Sequence, residues 1–321
     1  MEGSVGSPAL DRMSRLSALV ALTFGSLAML APPSARATFP GRNGAILATF
    51  DDHNRPFVRA IDPRAGTARV LFECSRSDCP DFIDGIGVSA NGMLAAFDGT
   101  TFIDRGVSET RISILQIASR QVRQLPLLHG GLDAEADQDP SWSPGTNQLL
   151  LAIRTPDAPL GLFTASAAGG HLHKLLTCDC FHAAVSPNGR LILFERGQDL
   201  WLARSDGSSP RRFAREAEQP SWSPGGGRVA FVSLAHGHRD LVVARADGTA
   251  RRTIAAEVSS PVWSPNGQLL AFDRCPRCLN NDNTSSIYSV RPDGTGARAL
   301  FTDHPGTDIG FGQLDWQALP G

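Results

Sequence analysis

A short strand-turn-strand unit recurs along this chain and constrains its fold more than any other feature. Its clearest copies contain Trp-Ser-Pro and a glycine, at residues 139–152, 219–231 and 259–272. Weaker copies at 87–97 and 183–194 keep the turn and the second strand but have valine at the tryptophan position. A unit that returns at intervals of about 40 residues indicates a repeat architecture, in which neighbouring copies bury one another's apolar faces.

A second hairpin follows each of the later copies and completes a four-stranded unit. Asp206-Gly207, Asp247-Gly248 and Asp293-Gly294 lie between short apolar runs. Asp-Gly pairs favour tight hairpin turns because both residues tolerate positive φ angles. Four short strands in about 40 residues are typical of one propeller blade. No run with helical periodicity follows residue 37, so the sequence predicts an all-β fold.

The two ends of the repeat region complement each other. Residues 39–50 match the turn and second strand of the unit, with no first strand before them. Residues 313–320 match the first strand alone, with Trp316 at the motif position. We therefore predict a six-bladed β-propeller in which the C-terminal strand completes the N-terminal blade. Such closure removes an open sheet edge, which would otherwise offer unpaired backbone groups to another chain.

These motifs resemble those of the TolB-type β-propeller repeat family over nearly all of the chain after residue 37. The likeness is carried by the Trp-Ser-Pro units, the Asp-Gly hairpins, the entry Phe-Pro-Gly-Arg-Asn-Gly and the closing Leu-Asp-Trp-Gln-Ala-Leu-Pro. Val88 and Val185 depart from the motif at the tryptophan position, and Ala90 replaces the turn proline. The resemblance implies a WD-like propeller fold. Because the matching residues build the blade, it implies no catalytic site.

The first 37 residues have the order of a secretory signal peptide. Arg12 and Arg15 precede an apolar run at 16–31, and small residues stand on both sides of Arg36. A basic start, an apolar core and a small-residue site predict export, with cleavage after Ala37. A transmembrane anchor is the alternative, but such a run is short for a bilayer core of ~30 Å. We therefore predict a signal peptide at 1–37, a secreted or periplasmic propeller at 38–321, and no membrane span after cleavage.

Charge and composition narrow the classes of partner. Charged residues make up 19% of the chain and the formal net charge is −2, which is unlike a protein dedicated to nucleic acid. Hydrophobic residues make up 41%, a share that supports a large core and differs from a disordered composition. We predict a globular monomer with no nucleic-acid partner and no cofactor.

Six cysteines form three local pairs: Cys74 with Cys79, Cys178 with Cys180, and Cys275 with Cys278. An even number in an exported chain favours disulfides, although six cysteines permit 15 pairings. Cys275-x-x-Cys278 also has the spacing of zinc ligands, but no second motif of that kind accompanies it. Residues two apart in an extended chain lie near the ~7 Å limit for a disulfide, so Cys178 and Cys180 need a turn between them. We predict three disulfides.

In a propeller, the second-to-third loops and the connections between blades lie on one side, which we call the loop-rich face. All six cysteines and most of the histidines map to this side, and its loops are the longest. A rigid scaffold that presents long polar loops is typical of a binding surface. The candidate ligand residues are Asp51, His53, His129, Asp133, Glu135, Asp137, His182, His236, His238 and His304.

Two functions are compatible with these features. The first is a non-catalytic module that binds a protein, peptide or glycan on the loop-rich face. The second is a metal-dependent lyase or lactonase that uses histidines and carboxylates at the mouth of the channel. The alternating acids of residues 133–139 could hold a cation, but such a run is more often a solvated loop. Because no G-x-S-x-G nucleophile elbow occurs, we favour binding and predict no catalytic residue and no metal site.

Overall fold

The computed structural model describes residues 36–51, 55–74, 79–103, 107–126, 139–155, 158–170, 172–274, 286–302 and 313–320. These residues form six four-stranded antiparallel sheets, with a two-residue strand added to one of them. The structure confirms the six-bladed β-propeller that the repeats predict. Within the described ranges, no helix is long and apolar enough to cross a membrane.

Each blade takes its strands in chain order, except blade 1, whose innermost strand comes from the C-terminus. The chain enters through β1 (Arg36–Ala37). Blade 1 contains β2 (Arg42–Asp51), β3 (Pro56–Ile61) and β4 (Ala68–Glu73). Blade 2 contains β5 (Phe82–Val88), β6 (Leu94–Ile103), β7 (Val107–Gln116) and β8 (Gln121–Gln124). Blade 3 contains β9 (Ser141–Trp142), β10 (Gln148–Thr155), β11 (Ala158–Ser166) and β12 (His173–Thr177).

Blade 4 contains β13 (Cys180–Val185), β14 (Leu191–Arg196), β15 (Asp199–Arg204) and β16 (Arg211–Ala214). Blade 5 contains β17 (Ala217–Trp222), β18 (Arg228–Ser233), β19 (Asp240–Arg245) and β20 (Arg252–Ala256), with a 3-10 turn at Ala235–Gly237. Blade 6 contains β21 (Ser259–Trp263), β22 (Leu270–Arg274), β23 (Ser286–Val290) and β24 (Arg298–Thr302). Finally, β25 (Leu314–Leu319) completes blade 1.

The first strand of each blade lies innermost, and these six strands contact one another around the ring. The motif tryptophans on them are buried, and Trp222 and Trp263 are at most 1% exposed. The indole N–H of Trp222 donates to the carbonyl of Ala184 in the preceding blade at 3.2 Å. Trp142 reaches Gly87 in the same way at 2.9 Å. The motif tryptophan therefore supplies an apolar wedge in each of these blades and, at Trp142 and Trp222, a hydrogen bond to the preceding blade as well.

The Ser-Pro-Asn-Gly turns are closed by their own side chains. The hydroxyl of Ser264 donates to the side-chain oxygen of Asn266 at 2.8 Å, and that oxygen accepts the N–H of Gln268 at 3.1 Å. Gly267 has a φ angle of 70°, a conformation that costs glycine little and other residues more. Turn chemistry thus fixes where the first hairpin of a blade reverses.

Closure of the ring follows the prediction. β25 pairs antiparallel with β2, from Arg42 opposite Leu319 to Ala48 opposite Leu314. The carboxylate of Asp315 accepts the N–H of Val88 in blade 2 at 2.6 Å. The C-terminal strand therefore fills blade 1 and is also tied to the next blade.

The segment before blade 1 lies inside the ring, which the repeats do not predict. β1 pairs in parallel with β17, at Ser221 and Trp222, and also lies against β13 and β9. Thr38 and Phe39, which follow β1, are 1% and 4% exposed. The N–H of Thr38 continues the pairing by donating to the carbonyl of Trp222 at 3.4 Å. Cleavage at the expected site would remove β1 and leave Thr38 as the first residue.

Candidate functional site

In all six blades, the residue three positions before the tryptophan position of the motif is buried. Five of these six residues are polar. We call this set the inner polar ring. Its members are Gly85, Asp139, His182, Gln219, Ser260 and Gln313. All of them lie on or beside strands that surround the central axis, where a propeller enzyme would place its chemistry.

A β-bulge at this level turns the backbone away from its own blade. The pairing register shifts between Phe181 and Ala184 and between Glu218 and Ser221. His182 and Gln219 have φ angles of 48° and 54°. A bulge leaves one residue outside the ladder, so its N–H can bond elsewhere.

The freed amides bond to side chains of the preceding blade. The N–H of Gln219 donates to Oε1 of Glu195 in blade 4 at 2.7 Å. The N–H of Ser260 donates to Oε1 of Gln219 in blade 5, also at 2.7 Å. The same structural device therefore links blade 4 to blade 5 and blade 5 to blade 6.

His182 lies between two carboxylates from two blades. Its Nε2 is 3.0 Å from Oδ2 of Asp139 in blade 3, and its Nδ1 is 2.9 Å from Oε2 of Glu195 in blade 4. The imidazole is fully buried. Burial alone lowers the pKa of His182, but the negative charges of Glu195 and Asp139 outweigh it and raise the pKa well above its ordinary value. The imidazolium is thus the form that this site favours.

Glu218, next to the ring, is a buried acid of blade 5 and is 9% exposed. Burial raises the pKa of its carboxyl, against the opposing effect of Arg239. The guanidinium of Arg239 forms an ion pair with Oε1 of Glu218. The charge of Arg239 therefore compensates a carboxylate that would otherwise be costly to bury.

In blades 1 and 2, other hydrogen bonds hold the inner polar ring. In blade 2, the N–H of Gly85 donates to Asp98 at 2.6 Å. In blade 1, Thr49 accepts the N–H of Gln313 at 2.9 Å, and its hydroxyl donates to the carbonyl of Asp84 at 3.2 Å. Around the whole ring, buried polar groups hold inner strands to one another or to their own blade.

This arrangement can carry out little chemistry on a ligand. His182 and Gln219 are 0% exposed and Asp139 is 2% exposed, so substrate has no access to the histidine or its partners. The described residues contain no group of three or more histidine, cysteine or acidic side chains placed to hold a metal ion. The inner polar ring is a structural connection between blades.

The structure places the candidate ligand residues in different environments. His182 is buried in the inner polar ring and does not point to solvent. Asp51 ends β2 opposite Pro56, His236 lies in the 3-10 turn, and His238 is exposed beyond it. The others lie outside the described residues and stay predictions: His53, His129, Asp133, Glu135, Asp137 and His304.

Two of the three predicted disulfides are present. Cys74 bonds to Cys79 across the connection between blades 1 and 2, with Cα atoms 5.6 Å apart. Cys178 bonds to Cys180 between blades 3 and 4, where a bend at Asp179 brings the Cα atoms to 5.1 Å. Cys275 and Cys278 lie outside the described residues, so their bond stays a prediction.

Sequence reasoning missed the partners of His182. Asp139 was placed with the acids of the loop-rich face, and Glu195 and Gln219 were not singled out. A signal was available, because a polar residue precedes the motif position by three in most copies: Asp139, His182, Gln219, Ser260 and Gln313. Pairing between residues of different blades, in contrast, depends on the bulge and cannot be read from the spacing.

These features define the class of protein: a six-bladed β-propeller closed by its C-terminal strand and linked by buried polar bonds between blades. Two solved structures of TolB proteins share this fold. TolB from Acinetobacter baumannii superposes with a TM-score of 0.69 at 14% identity, over 86% of this chain and 67% of that one. The putative TolB from Agrobacterium tumefaciens superposes with a TM-score of 0.65 at 14% identity, over 87% of this chain and all of the other.

The likeness extends to a propeller from a different context. A chain of the nidogen–laminin complex superposes with a TM-score of 0.62 at 9% identity, over 86% of this chain and 100% of that one. At such identities the likeness is one of fold. No sequence-family model and no curated protein sequence matches the chain. The structural neighbours therefore agree with the TolB-type fold that the repeat motifs imply.

Proposed function

We propose that this protein is an exported, non-catalytic propeller that binds a protein, peptide or glycan on its loop-rich face. The observation that carries the proposal is the state of the histidine–carboxylate group near the axis. His182, Asp139 and Glu195 are at most 6% exposed and are bonded between blades. Because the titratable group near the axis connects blades and is buried, a ligand would contact the outer surface of the propeller instead.

Two disulfides on that side support the proposal. Cys74–Cys79 and Cys178–Cys180 each close a connection between blades, on the face where the long loops lie. Cross-links reduce the number of conformations a loop must give up when it binds, which favours affinity. One of the similar folds comes from a structure of a protein–protein complex, nidogen with laminin.

The test is a binding experiment with charge variants of the two faces. Affinity capture from the native extracytoplasmic medium first identifies the ligand, with the purified protein as bait. A variant with Asp133→Asn, Glu135→Gln and Asp137→Asn should then weaken ligand binding and reduce its salt dependence. Unfolding should change little, because the sequence predicts a loop there, and loop charges on the surface usually alter stability by less than about 0.5 kcal/mol.

The matched control changes two exposed arginines on the opposite side, Arg251→Gln and Arg252→Gln. This variant should bind the captured ligand as the wild type does. If only the control lost binding, the ligand would bind the side opposite the loop-rich face, and the proposal would be wrong. A stoichiometric divalent metal in the purified protein would favour the metal-dependent enzyme instead.

A further inference from the structure

The side opposite the loop-rich face is strongly basic. We call it the turn face, because it consists of the first-to-second and third-to-fourth turns with the strand ends beside them. Fifteen exposed basic residues lie there: Arg42, Arg64, Arg69, Arg120, Arg123, Lys174, Arg190, Arg204, Arg211, Arg228, Arg245, Arg251, Arg252, Arg291 and Arg298. Its exposed carboxylates among the described residues are Asp62, Asp206, Asp247 and Asp293. The net charge of −2 conceals this separation of charge between the two sides.

The positive charges of the turn face are only partly offset within the protein, because fifteen exposed basic residues face four exposed carboxylates. Several arginines elsewhere form ion pairs, as Arg111 does with Glu109 and Arg239 with Glu218. No basic residue of the turn face lies within 4.0 Å of a carboxylate in the part of the chain that the structure describes. This exposed set of cations, which forms no salt bridge with the described residues, is available to an external anion.

The aspartates of the turn face are held by their own turns. Asp247 accepts the N–H and the hydroxyl of Thr249 at 2.9 and 2.6 Å, and Asp293 bonds to Thr295 in the same way at 2.9 and 2.7 Å. The side-chain bond from the threonine, followed by the backbone bond, lowers the pKa of each aspartate. Nearby arginines add a smaller lowering of each pKa, Arg245 at Asp247 and Arg252 and Arg291 at Asp293. These carboxylates therefore shape the turns and form no ion pair within 4.0 Å among the residues that the structure describes.

The cations form a continuous arc because each blade repeats the same turn. Arg204, Arg245 and Arg291 each stand two residues before the turn aspartate. Neighbouring turns are in contact: Arg251 donates to the carbonyl of Phe213 in blade 4 at 2.6 Å, and Arg298 donates to the carbonyl of Pro63 in blade 1 at 3.4 Å. The arc thus runs through blades 4, 5, 6 and 1.

The chemistry of the arc fits a broad anionic surface. Among the described residues, the exposed large hydrophobic side chains are Val70, Met93 and Phe102, so the arc offers no aromatic platform on which a sugar or base could stack. A cleft of about 420 Å³ in blade 1 has room for a phosphate group, and among its lining residues two arginines, Arg64 and Arg69, outnumber one carboxylate, Asp62. Guanidinium groups suit phosphate oxygens through their paired N–H donors.

We propose that the turn face binds the surface of a lipid bilayer that contains anionic phospholipids. Binding is peripheral, because the arc contributes charge without an apolar anchor. Attraction of this kind acts within a Debye length, about 8 Å at physiological ionic strength, and is therefore sensitive to salt. This surface lies opposite the proposed ligand face, so either proposal can fail without the other.

The experiment measures co-sedimentation of the full protein with vesicles of phosphatidylglycerol and phosphatidylcholine. The test variant carries Arg204→Gln, Arg211→Gln and Arg245→Gln, which are exposed and form no ion pair within 4.0 Å with the described residues. The matched control removes three exposed arginines of the loop-rich side, with Arg55→Gln, Arg196→Gln and Arg215→Gln. Both variants have the same net charge, so only the position of the lost charge differs between them.

We expect the wild type to bind the anionic vesicles at low salt and to dissociate as salt is raised. Because each basic residue near an anionic surface contributes about fivefold, the test variant should bind at least tenfold more weakly. The control should stay within about twofold of the wild type. Equal loss in both variants, or equal binding to vesicles of phosphatidylcholine alone, would overturn the proposal. So would arginine-dependent binding to DNA or to a sulfated polysaccharide without binding to the vesicles.

Discussion

The imidazole of His182 is shared between carboxylates of two blades, so its protonation is coupled to the packing of the ring. The histidine was predicted to face a ligand because it follows the connection between blades 3 and 4. Position in the chain indicated the correct end of the blade, but it could not show whether the side chain points outward or inward. The bulge at His182, with its φ angle of 48°, decides that direction. Such a bulge is a property of the strand pairing, which the residue spacing does not reveal.

This coupling predicts a pH-dependent effect of Glu195→Gln. The amide keeps the bond to the N–H of Gln219 but removes the charge that contributes most to raising the pKa of His182. A histidine whose folded pKa is raised stabilises the fold fully below its unfolded pKa, about 6.5, and this contribution is lost as the pH rises through the folded value. Glu195→Gln should therefore cost about 1.5–3 kcal/mol near pH 6 and less at pH 9.

Urea unfolding of wild type and variant at a series of pH values measures this difference. Asp199→Asn is a suitable control, because Asp199 pairs with Arg212 on the surface with its side chain 25% exposed. A cost of Glu195→Gln that is the same at pH 6 and pH 9 would contradict a pH-dependent contribution of His182 over this range.

At the scale of elements, the repeat explains why the sequence reveals so much of the fold. Each Trp-Ser-Pro unit predicts a strand, a turn and a second strand, and the structure has all of them at these positions. The two incomplete ends predicted the pairing of β25 with β2 because only one arrangement completes a blade. β1 could not be anticipated in this way. Its two residues match no repeat position, and their pairing with β17 depends on the space inside the ring.

The closing strand should therefore contribute far more to stability than its length suggests. Trp316 is 2% exposed and its indole N–H donates to the carbonyl of Gly44 at 3.1 Å. Trp316→Ala should cost about 3–5 kcal/mol in the free energy of unfolding, measured by denaturant titration. Trp201→Ala, at a partly exposed position on β15, should cost clearly less. Equal costs, or an unchanged melting temperature after deletion of residues 312–321, would mean that the ring is closed by other contacts.

At the scale of the whole molecule, two properties emerge only when the blades are assembled. One is the separation of charge between the faces, which the total composition hides because it sums over both sides. The other is the occupation of the centre by residues 36–39. The sequence of the long loops, including residues 127–138, matches no repeat position, so the fold rules that predict the blades do not extend to the candidate ligand residues there.

Phe39 should fix the entering segment inside the ring by its burial. The expected cleavage leaves Thr38 as the first residue, so Phe39 is still present in the processed protein. Phe39 is 4% exposed and belongs to the buried cluster that also contains Trp142, Trp222 and Ala318, residues from three blades. Phe39→Ala should lower the free energy of unfolding by about 3–5 kcal/mol, measured by denaturant titration of the processed protein, whose mass confirms the start at Thr38. Phe102→Ala is the control, because Phe102 is 64% exposed and its loss should change stability by about 0.5 kcal/mol or less. A Phe39→Ala variant as stable as the control would show that the ring does not depend on the segment that enters its centre.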